Sequence, residues 1–263
     1  MDLRDKVLGG LPLDDFRIID NHDHIGKWHA FYVPGGGGID QMVASMDAVG
    51  IDQVFVTAHA SIGPDFAFGN DIVADAIARY PERVFGYVTV NPNYPDMKGE
   101  LQKRFANKGF RGIKLHPDCH SRAIDYAGYA PAYEWADEHR LPVLIHVWGP
   151  GEVAQVAHLS AEYPNCQFIM GHFGGDTDGF IAGIDLVNKR DNVFGDTAIS
   201  GGPEGNIEWF VREVNPKKIV FGTDLPFLDP RPTIGRIAMA DIPYETKVDI
   251  FGRNLAGIMG IQY

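Results

Sequence analysis

PVLIHVWGPGEVAQVAHLSAEYPNCQFIMGHF, residues 142–173, holds the alternation on which the fold turns. Its first seven residues, PVLIHVW (142–148), form a nearly continuous apolar run, as in a parallel strand covered on both faces. A stretch of helical periodicity, EVAQVAHLSAEY (152–163), follows, and a second apolar run, QFIMGHF (167–173), completes a βαβ unit. Outward from this unit the same pattern recurs. Apolar, β-rich runs stand upstream at FRIID (16–20), QVFVTA (53–58), RVFGYVTV (83–90) and FRGIKLH (110–116), and downstream at NVFGDTA (192–198) and KIVFGTD (218–224). Helical periodicity fills the intervals, as in DQMVASMDAVG (40–50), NDIVADAIARY (70–80), YAPAYEWADEH (129–139) and NIEWFVREV (206–214). Strands spaced by roughly 25–35 residues with helices between them are βα units. Eight of them predict an α/β fold, a single (β/α)8 TIM barrel over residues 1–263, with YETKVDIFGRNLAGIMG (244–260) as a C-terminal closing helix. The rival, a doubly wound open sheet binding a dinucleotide, calls for G-x-G-x-x-G after its first strand, where this chain has DNHDHIG.

Composition narrows the partners. The 263 residues carry 23 Lys and Arg against 35 Asp and Glu, a formal net charge of −12. Nucleic acids and anionic bilayers are bound mainly through Lys and Arg, so neither is expected as a partner. Hydrophobic residues at 45% and charged residues at 22% fit a folded globular chain rather than a disordered one. No apolar run nears the ~20 residues of a membrane span. The start, MDLRDKVLGG, lacks the basic-then-apolar layout of a signal peptide, so a cytoplasmic location is expected. Cys119 and Cys166 supply neither a disulfide framework nor a C-x-x-C pair, and both are expected as incidental buried thiols. The one low-complexity patch, PGGGG (34–38), reads as a flexible connection or a lid, and it lacks the G-K-[ST] ending of a phosphate loop.

In such a barrel the active site lies at the C-terminal ends of the strands, and residues two apart on one strand share a face. Asp20, His22 and His24 alternate at the end of the first strand. Lys114 and His116 end the fourth, His146 and Trp148 the fifth, His172 the sixth, Asp196 the seventh and Asp224 the eighth. One inward histidine is ordinarily a hydrogen-bonded core residue. Four of them with a carboxylate, on four strands, resist that explanation, because each unpaired buried polar group costs ~1–3 kcal/mol. A bound cation removes the cost. Imidazole with carboxylate suits zinc, and also manganese, iron or nickel, with one position left for water.

H-x-H on strand one, His on strands five and six and Asp on strand eight resembles the amidohydrolase superfamily, from about Phe16 to the end of the chain. The phrases GIKLHP, IMGHFGG and FGTDLPF look most like its branch containing aminocarboxymuconate-semialdehyde decarboxylase and many small metal-dependent hydrolases. The resemblance implies one divalent metal ion, Zn2+ or Mn2+, on His22, His24, His146 and Asp224. It makes His172 the residue that polarises substrate or moves a proton, and Asp224 the catalytic acid-base. Some amidohydrolases hold two metals bridged by a carboxylated strand-four lysine. Lys114 lies two residues deeper than the outermost inward position, His116, which favours one metal; Lys114 then pairs with Asp20 or Asp196 or meets a substrate carboxylate.

Around this centre His116, Lys114, Trp148, His59 and Arg122 are expected to contact substrate, with Asp20 and Asp196 orienting histidines or water. His120 and Arg122, after strand four, suit an anionic group. His29, Phe31 and Tyr32 are candidates for an apolar wall, while His139 and His158 fall on helices without a role. The resulting expectation is a metal-dependent hydrolase directing a metal-activated water at a lactone, ester or amide carbonyl of a small carboxylated substrate. A non-oxidative decarboxylase or hydratase of an unsaturated or aromatic acid is the alternative, and a non-catalytic metal- or acid-binding barrel the second. The partner is a small molecule, and the aromatic-rich helices allow a homodimer.

Overall fold

Eight strands lie parallel and in chain order: β1 (Ile19–Ile25), β2 (Gln53–Ala58), β3 (Val84–Thr89), β4 (Phe110–Leu115), β5 (Pro142–Trp148), β6 (Gln167–Gly174), β7 (Val193–Asp196) and β8 (Ile219–Val220). The structure, a computed structural model, describes residues 2–199 and 201–263. After each strand comes a helix, at Ile39–Val49, Phe66–Arg79, Met97–Phe105, Ala130–His139, Gly149–Glu162, Thr177–Lys189, Asn206–Glu213 and Pro230–Met239. Between β8 and β1 the seam is closed by backbone bonds rather than a long ladder. Asn21 N–H donates to Phe221 C=O (2.9 Å), Asp224 N–H to His22 C=O (2.8 Å) and His24 N–H to Leu225 C=O (2.7 Å). The fold is a TIM-type barrel. Among the described residues no helix is long and apolar enough to cross a membrane.

Two apolar layers hold it. Between strands and helices lies the larger, including Val54, Val56, Val143, Ile145, Phe168 and Met170. Inside the barrel, Ile19, Phe55, Tyr87, Leu144, Ile169 and Val220 meet Leu255, Ala256 and Met259 of the C-terminal segment, which plugs the end of the barrel remote from the site. The predicted closing helix is present, running without a break from Tyr244 to Met259, and it carries a π-helical turn at Asp249–Arg253. A π turn frees backbone groups from the helical ladder. Here the Ile250 carbonyl accepts from Phe221 N–H at 3.1 Å, so the strand expected over 218–224 leaves its ladder after Val220.

β1 also departs from its reading. It begins at Ile19 rather than Phe16: Ile18 N–H donates to the Asp52 carboxylate (2.7 Å) instead of a neighbouring strand, and the Arg17 carbonyl packs against Gly252 of the π turn. Its register against β2 slips between Asp20 and Asp23, so β1 carries a bulge. The extra residue breaks the predicted alternation. Asn21 and His22 both face inward, to Asp196, while Asp20 turns to the β8 side and accepts from the N–H and hydroxyl of Thr223 (3.0 and 2.6 Å). The 34–38 glycine run is a tight turn tied by Gln41, whose amide nitrogen donates to Pro34 C=O (2.6 Å) and whose amide oxygen accepts from Gly37 N–H (3.2 Å). Cys166 is buried as expected, but Cys119 is exposed, on the short helix that follows β4.

Candidate active site

The strand ends deliver their side chains into a cleft of about 440 Å³ lined by His22, His24, His116, His146, Trp148, His172 and Asp224, with Trp28, Phe31 and Phe227 as apolar wall. Backbone geometry at this rim is unusual. His172 (φ 61°), Phe173 (φ 52°) and Asp224 (φ 65°) all adopt the left-handed conformation, which non-glycine residues avoid. Such strain persists where the surroundings impose it, commonly at functional sites. Gly171 makes room beneath: a Cβ there would stand 2.9 Å from the Ile145 carbonyl and 3.1 Å from the His22 ring.

Each ring is held by a partner behind it. His22 Nδ1–H donates to Asp196 (2.8 Å), an acid that also accepts from His172 N–H (2.7 Å), Ala198 N–H (3.2 Å) and the Asn21 amide (3.3 Å). That bond leaves the lone pair on His22 Nε2, where Lys114 Nζ meets it at 2.7 Å. His24 Nδ1 meets the Thr57 hydroxyl at 2.8 Å, and its Nε2 stands 3.2 Å from Asp224 Oδ1. Although close, that contact is poorly aligned, and Asp224 Oδ1 is buried without a hydrogen-bond partner. Ligand atoms of His22, His24 and Asp224 all lie within 4.8 Å of one another. An orphaned carboxylate oxygen grouped with two imidazole nitrogens is a donor set that fits a divalent cation.

His146 stands apart from this triad. Its Nδ1 faces His172 Nε2 at 3.0 Å, and its Nε2 lies 3.6 Å from Asp118. His172 Nδ1 donates to the Ala198 carbonyl, so its Nε2 is an acceptor in the neutral ring and a donor only when the ring is charged. Burial holds His22, His24, His116 and His146 below the ordinary histidine range. Burial works against ionisation of Asp224, but the His24 contact and the neighbouring rings outweigh it and keep the acid below its usual range. Asp20 goes the other way, pushed by burial to about 7.

Lys114 is fully buried, and its Nζ lies 2.7 Å from His22 Nε2 rather than against either Asp20 or Asp196. Burial lowers it to about 8. His116 stacks on His146 (centroids 4.2 Å, 12°), and Trp148, half-exposed, lies beyond His146 at 6.2 Å. His59 does not line the cleft. It backs the His24 ring, stacked at 5.0 Å, with Phe227 on it at 4.3 Å and Nδ1 bonded to Gly26 C=O. Arg122 lines a neighbouring cleft, its guanidinium 4.9 Å from the Tyr126 ring centroid. His29 lines that same cleft, Phe31 the histidine cleft, and Tyr32 is 89% exposed. Sequence reasoning passed over Thr57, Trp28, Phe227 and the Ala198 carbonyl; only Thr57, a hydroxyl inside an apolar strand run, carried a signal.

The amidohydrolase family profile matches residues 19–256, from the first residue of β1 to the closing segment. The chain belongs to the amidohydrolase family. No curated protein matches this amidohydrolase in sequence. Among solved structures, it is similar to 2,6-dihydroxybenzoate decarboxylase complexed with 2,6-dihydroxybenzoate, at 17% identity and TM-score 0.77, over 94% of this chain and 100% of that one. A probable 2-pyrone-4,6-dicarboxylic acid hydrolase from Acinetobacter baumannii with bound citric acid matches at 18% identity and TM-score 0.73, over 94% and 100% of the two chains. The 5-carboxyvanillate decarboxylase from Novosphingobium aromaticivorans, complexed with manganese, matches at 17% identity and TM-score 0.73, over 94% and 97%. At these identities the likenesses speak to the barrel that the amidohydrolase shares with them.

Proposed function

We propose that this amidohydrolase is a metal-dependent hydrolase acting on a lactone, ester or amide carbonyl of a small carboxylated molecule. The observation that carries the reading is Asp224 Oδ1, buried and unpartnered, grouped with His24 Nε2 and with His22 Nε2, whose lone pair Lys114 Nζ contacts at 2.7 Å. His22, His24 and Asp224 would hold one divalent cation, with His146 completing the set once its ring turns from His172. When bound, the cation supplies Lewis acidity, polarising a carbonyl and lowering the pKa of a water.

The protein's own groups then have distinct tasks. Asp224, kept ionised, accepts a proton from the attacking water and returns it to the leaving oxygen or nitrogen. His172 works through Nε2 alone, since its Nδ1–H is committed to Ala198. Charged, it donates to the carbonyl oxygen; neutral, its Nε2 only accepts, as it does from His146 Nδ1 at 3.0 Å. Trp28, Phe31, Phe227 and Trp148 flank the substrate and exclude water. Decarboxylation is the second reading, favoured by His172, whose ring, anchored at Nδ1 and charged, would deliver the Nε2 proton to the carbon that carbon dioxide leaves. The decarboxylases among the structural relatives make it the first alternative to assay.

Metal analysis of the purified protein by plasma mass spectrometry tests the centre. One zinc or manganese per chain in wild type, lost in His22→Ala and His146→Ala, is the expected result. Screening lactones, esters, amides and carboxylated aromatic acids then separates hydrolysis from carbon dioxide release, and Asp224→Asn abolishes whichever is found. Absence of metal after reconstitution, or activity that survives Asp224→Asn, overturns the proposal.

A further inference from the structure

Lys114 reaches the histidine centre from inside the barrel. The ladder of β4 fixes its backbone between Thr89 of β3 and Leu144 of β5, its side chain is fully buried, and it is not among the residues that line the histidine cleft. Its Nζ stands 2.7 Å from His22 Nε2, the one hydrogen bond it makes among the described residues. The far side of the ring sets the direction of that bond. Asp196 accepts from His22 Nδ1–H, so Nε2 carries the lone pair and Lys114 is the donor. An ammonium and a neutral amine both carry N–H groups, so the direction holds for either form of the lysine.

The charges around the amine point the same way. Asp196 and Asp224 both favour the charged form of Lys114, against its burial. Lys114 therefore gives this centre the two things a metal ion gives it: an acceptor for the His22 lone pair and a positive charge near Asp224. Yet His22 Nε2 has a single lone pair, and it is the atom grouped with His24 and Asp224 within 4.8 Å. A bond from that lone pair to a metal and a hydrogen bond from Lys114 to it exclude each other.

We infer that Lys114 is a built-in competitor of the metal, and that the ion enters the centre only as the lysine withdraws its N–H from His22 Nε2. The inference rests on the metal-dependent reading of the centre and extends it to the terms on which the ion is held. Strand pairing on both sides keeps the β4 backbone in place, so the side chain alone must swing away. If Lys114 holds the lone pair in about nine molecules of ten, the apparent metal affinity falls about tenfold. The returning amine also gives the ion a route out, because it takes back a ligand atom from the interior while the mouth of the cleft stays open. This sets Lys114 apart from the other tasks open to a strand-four lysine: a bridging ligand strengthens metal binding, and a substrate contact leaves it unchanged.

Zinc affinity, measured on the chelator-stripped full chain by competition with a chromophoric chelator, tests the sign. Lys114→Met keeps the length and the apolar stem, removes the N–H, and leaves Asp224 without its internal counter-charge. It is expected to bind zinc at least tenfold more tightly than wild type and to lose it more slowly to excess EDTA. An affinity within twofold of wild type, or a weaker one, overturns the inference. Zinc bound by neither protein refutes the metal reading and the inference with it, whereas zinc bound by wild type as tightly as by Lys114→Met refutes the inference alone. Should Lys114→Met fail to fold, the wild type decides: with 15N in the lysine side chains, a buried amine resonance is expected to shift on addition of one equivalent of zinc and to return with EDTA. Lysine resonances that all stay in place overturn the inference.

Discussion

Replacing Asp196 by Asn changes one atom type at the back of the His22 ring. In wild type both carboxylate oxygens only accept: Oδ1 from the N–H groups of His172 and Ala198, Oδ2 from His22 Nδ1–H and the Asn21 amide. An asparagine keeps one accepting end. If that end stays with the two backbone N–H groups, its NH2 faces His22 Nδ1, which must then give up its proton and move it to Nε2. The ring becomes the wrong tautomer for a ligand. Loss of such a partner weakens metal affinity by about 10–100-fold, or about 1.4–2.7 kcal/mol. The backbone bonds survive, so the metal-free protein should melt close to wild type while the metal-loaded protein loses that increment. Competition with a chromophoric chelator reads the affinity, and melting with and without EDTA reads the linkage. An Asp196→Asn variant binding zinc within twofold of wild type would refute the tautomer argument.

Acid should destabilise the fold earlier than an average enzyme. Burial lowers His59 to about 3 and His120 to about 4, so both are neutral when folded, while unfolding lets them titrate near 6.5. The unfolded state thus binds more protons below pH 6.5, and stability present above that value is lost as pH falls toward 4. At pH 5.5 each group contributes a loss of about 1.4 kcal/mol, measurable by urea unfolding in EDTA at the two pH values, with His59→Asn removing one share. Gly195→Ala should cost about 1–3 kcal/mol in the same assay, since its Cβ would stand 2.3 Å from the buried Phe173 ring, which Phe210 pins at 4.1 Å. Leu255→Ala, which opens the barrel plug, should cost about 2–5 kcal/mol and lower the urea midpoint without altering metal stoichiometry.

Much of this was legible in the residues, and the exceptions have physical causes. β2 and β5 fall on QVFVTA and PVLIHVW because a strand covered on both faces must be apolar throughout. The convergence of His22, His24 and Asp224 was readable because strand-end position fixes where a side chain emerges. What alternation alone does not carry is the β1 bulge that sends Asp20 to the β8 side, or the left-handed turns at His172 and Asp224 that re-aim those groups. The placement of His59 behind His24 rather than in the cleft depends on its bond to the Gly26 carbonyl, a contact no pattern announces. Cys119, expected inside, is exposed because the strand-ending Pro117 starts a short helix on the open rim.

The Ile250 carbonyl, lent by the π turn to Phe221, ties the sealing of the barrel to the last stretch of the chain. During vectorial synthesis β1 and its two histidines emerge first, and they wait while some two hundred residues are made before Asp224 and the seam it sits on arrive. A nascent chain halted before residue 250 has every histidine of the centre and Asp224 as well, but lacks the peg that fixes the eighth strand against the first. The tail is thus part of the site's scaffold: a chain ending before residue 250 keeps every donor side chain yet has lost the Phe221–Ile250 bond and the apolar plug beneath them.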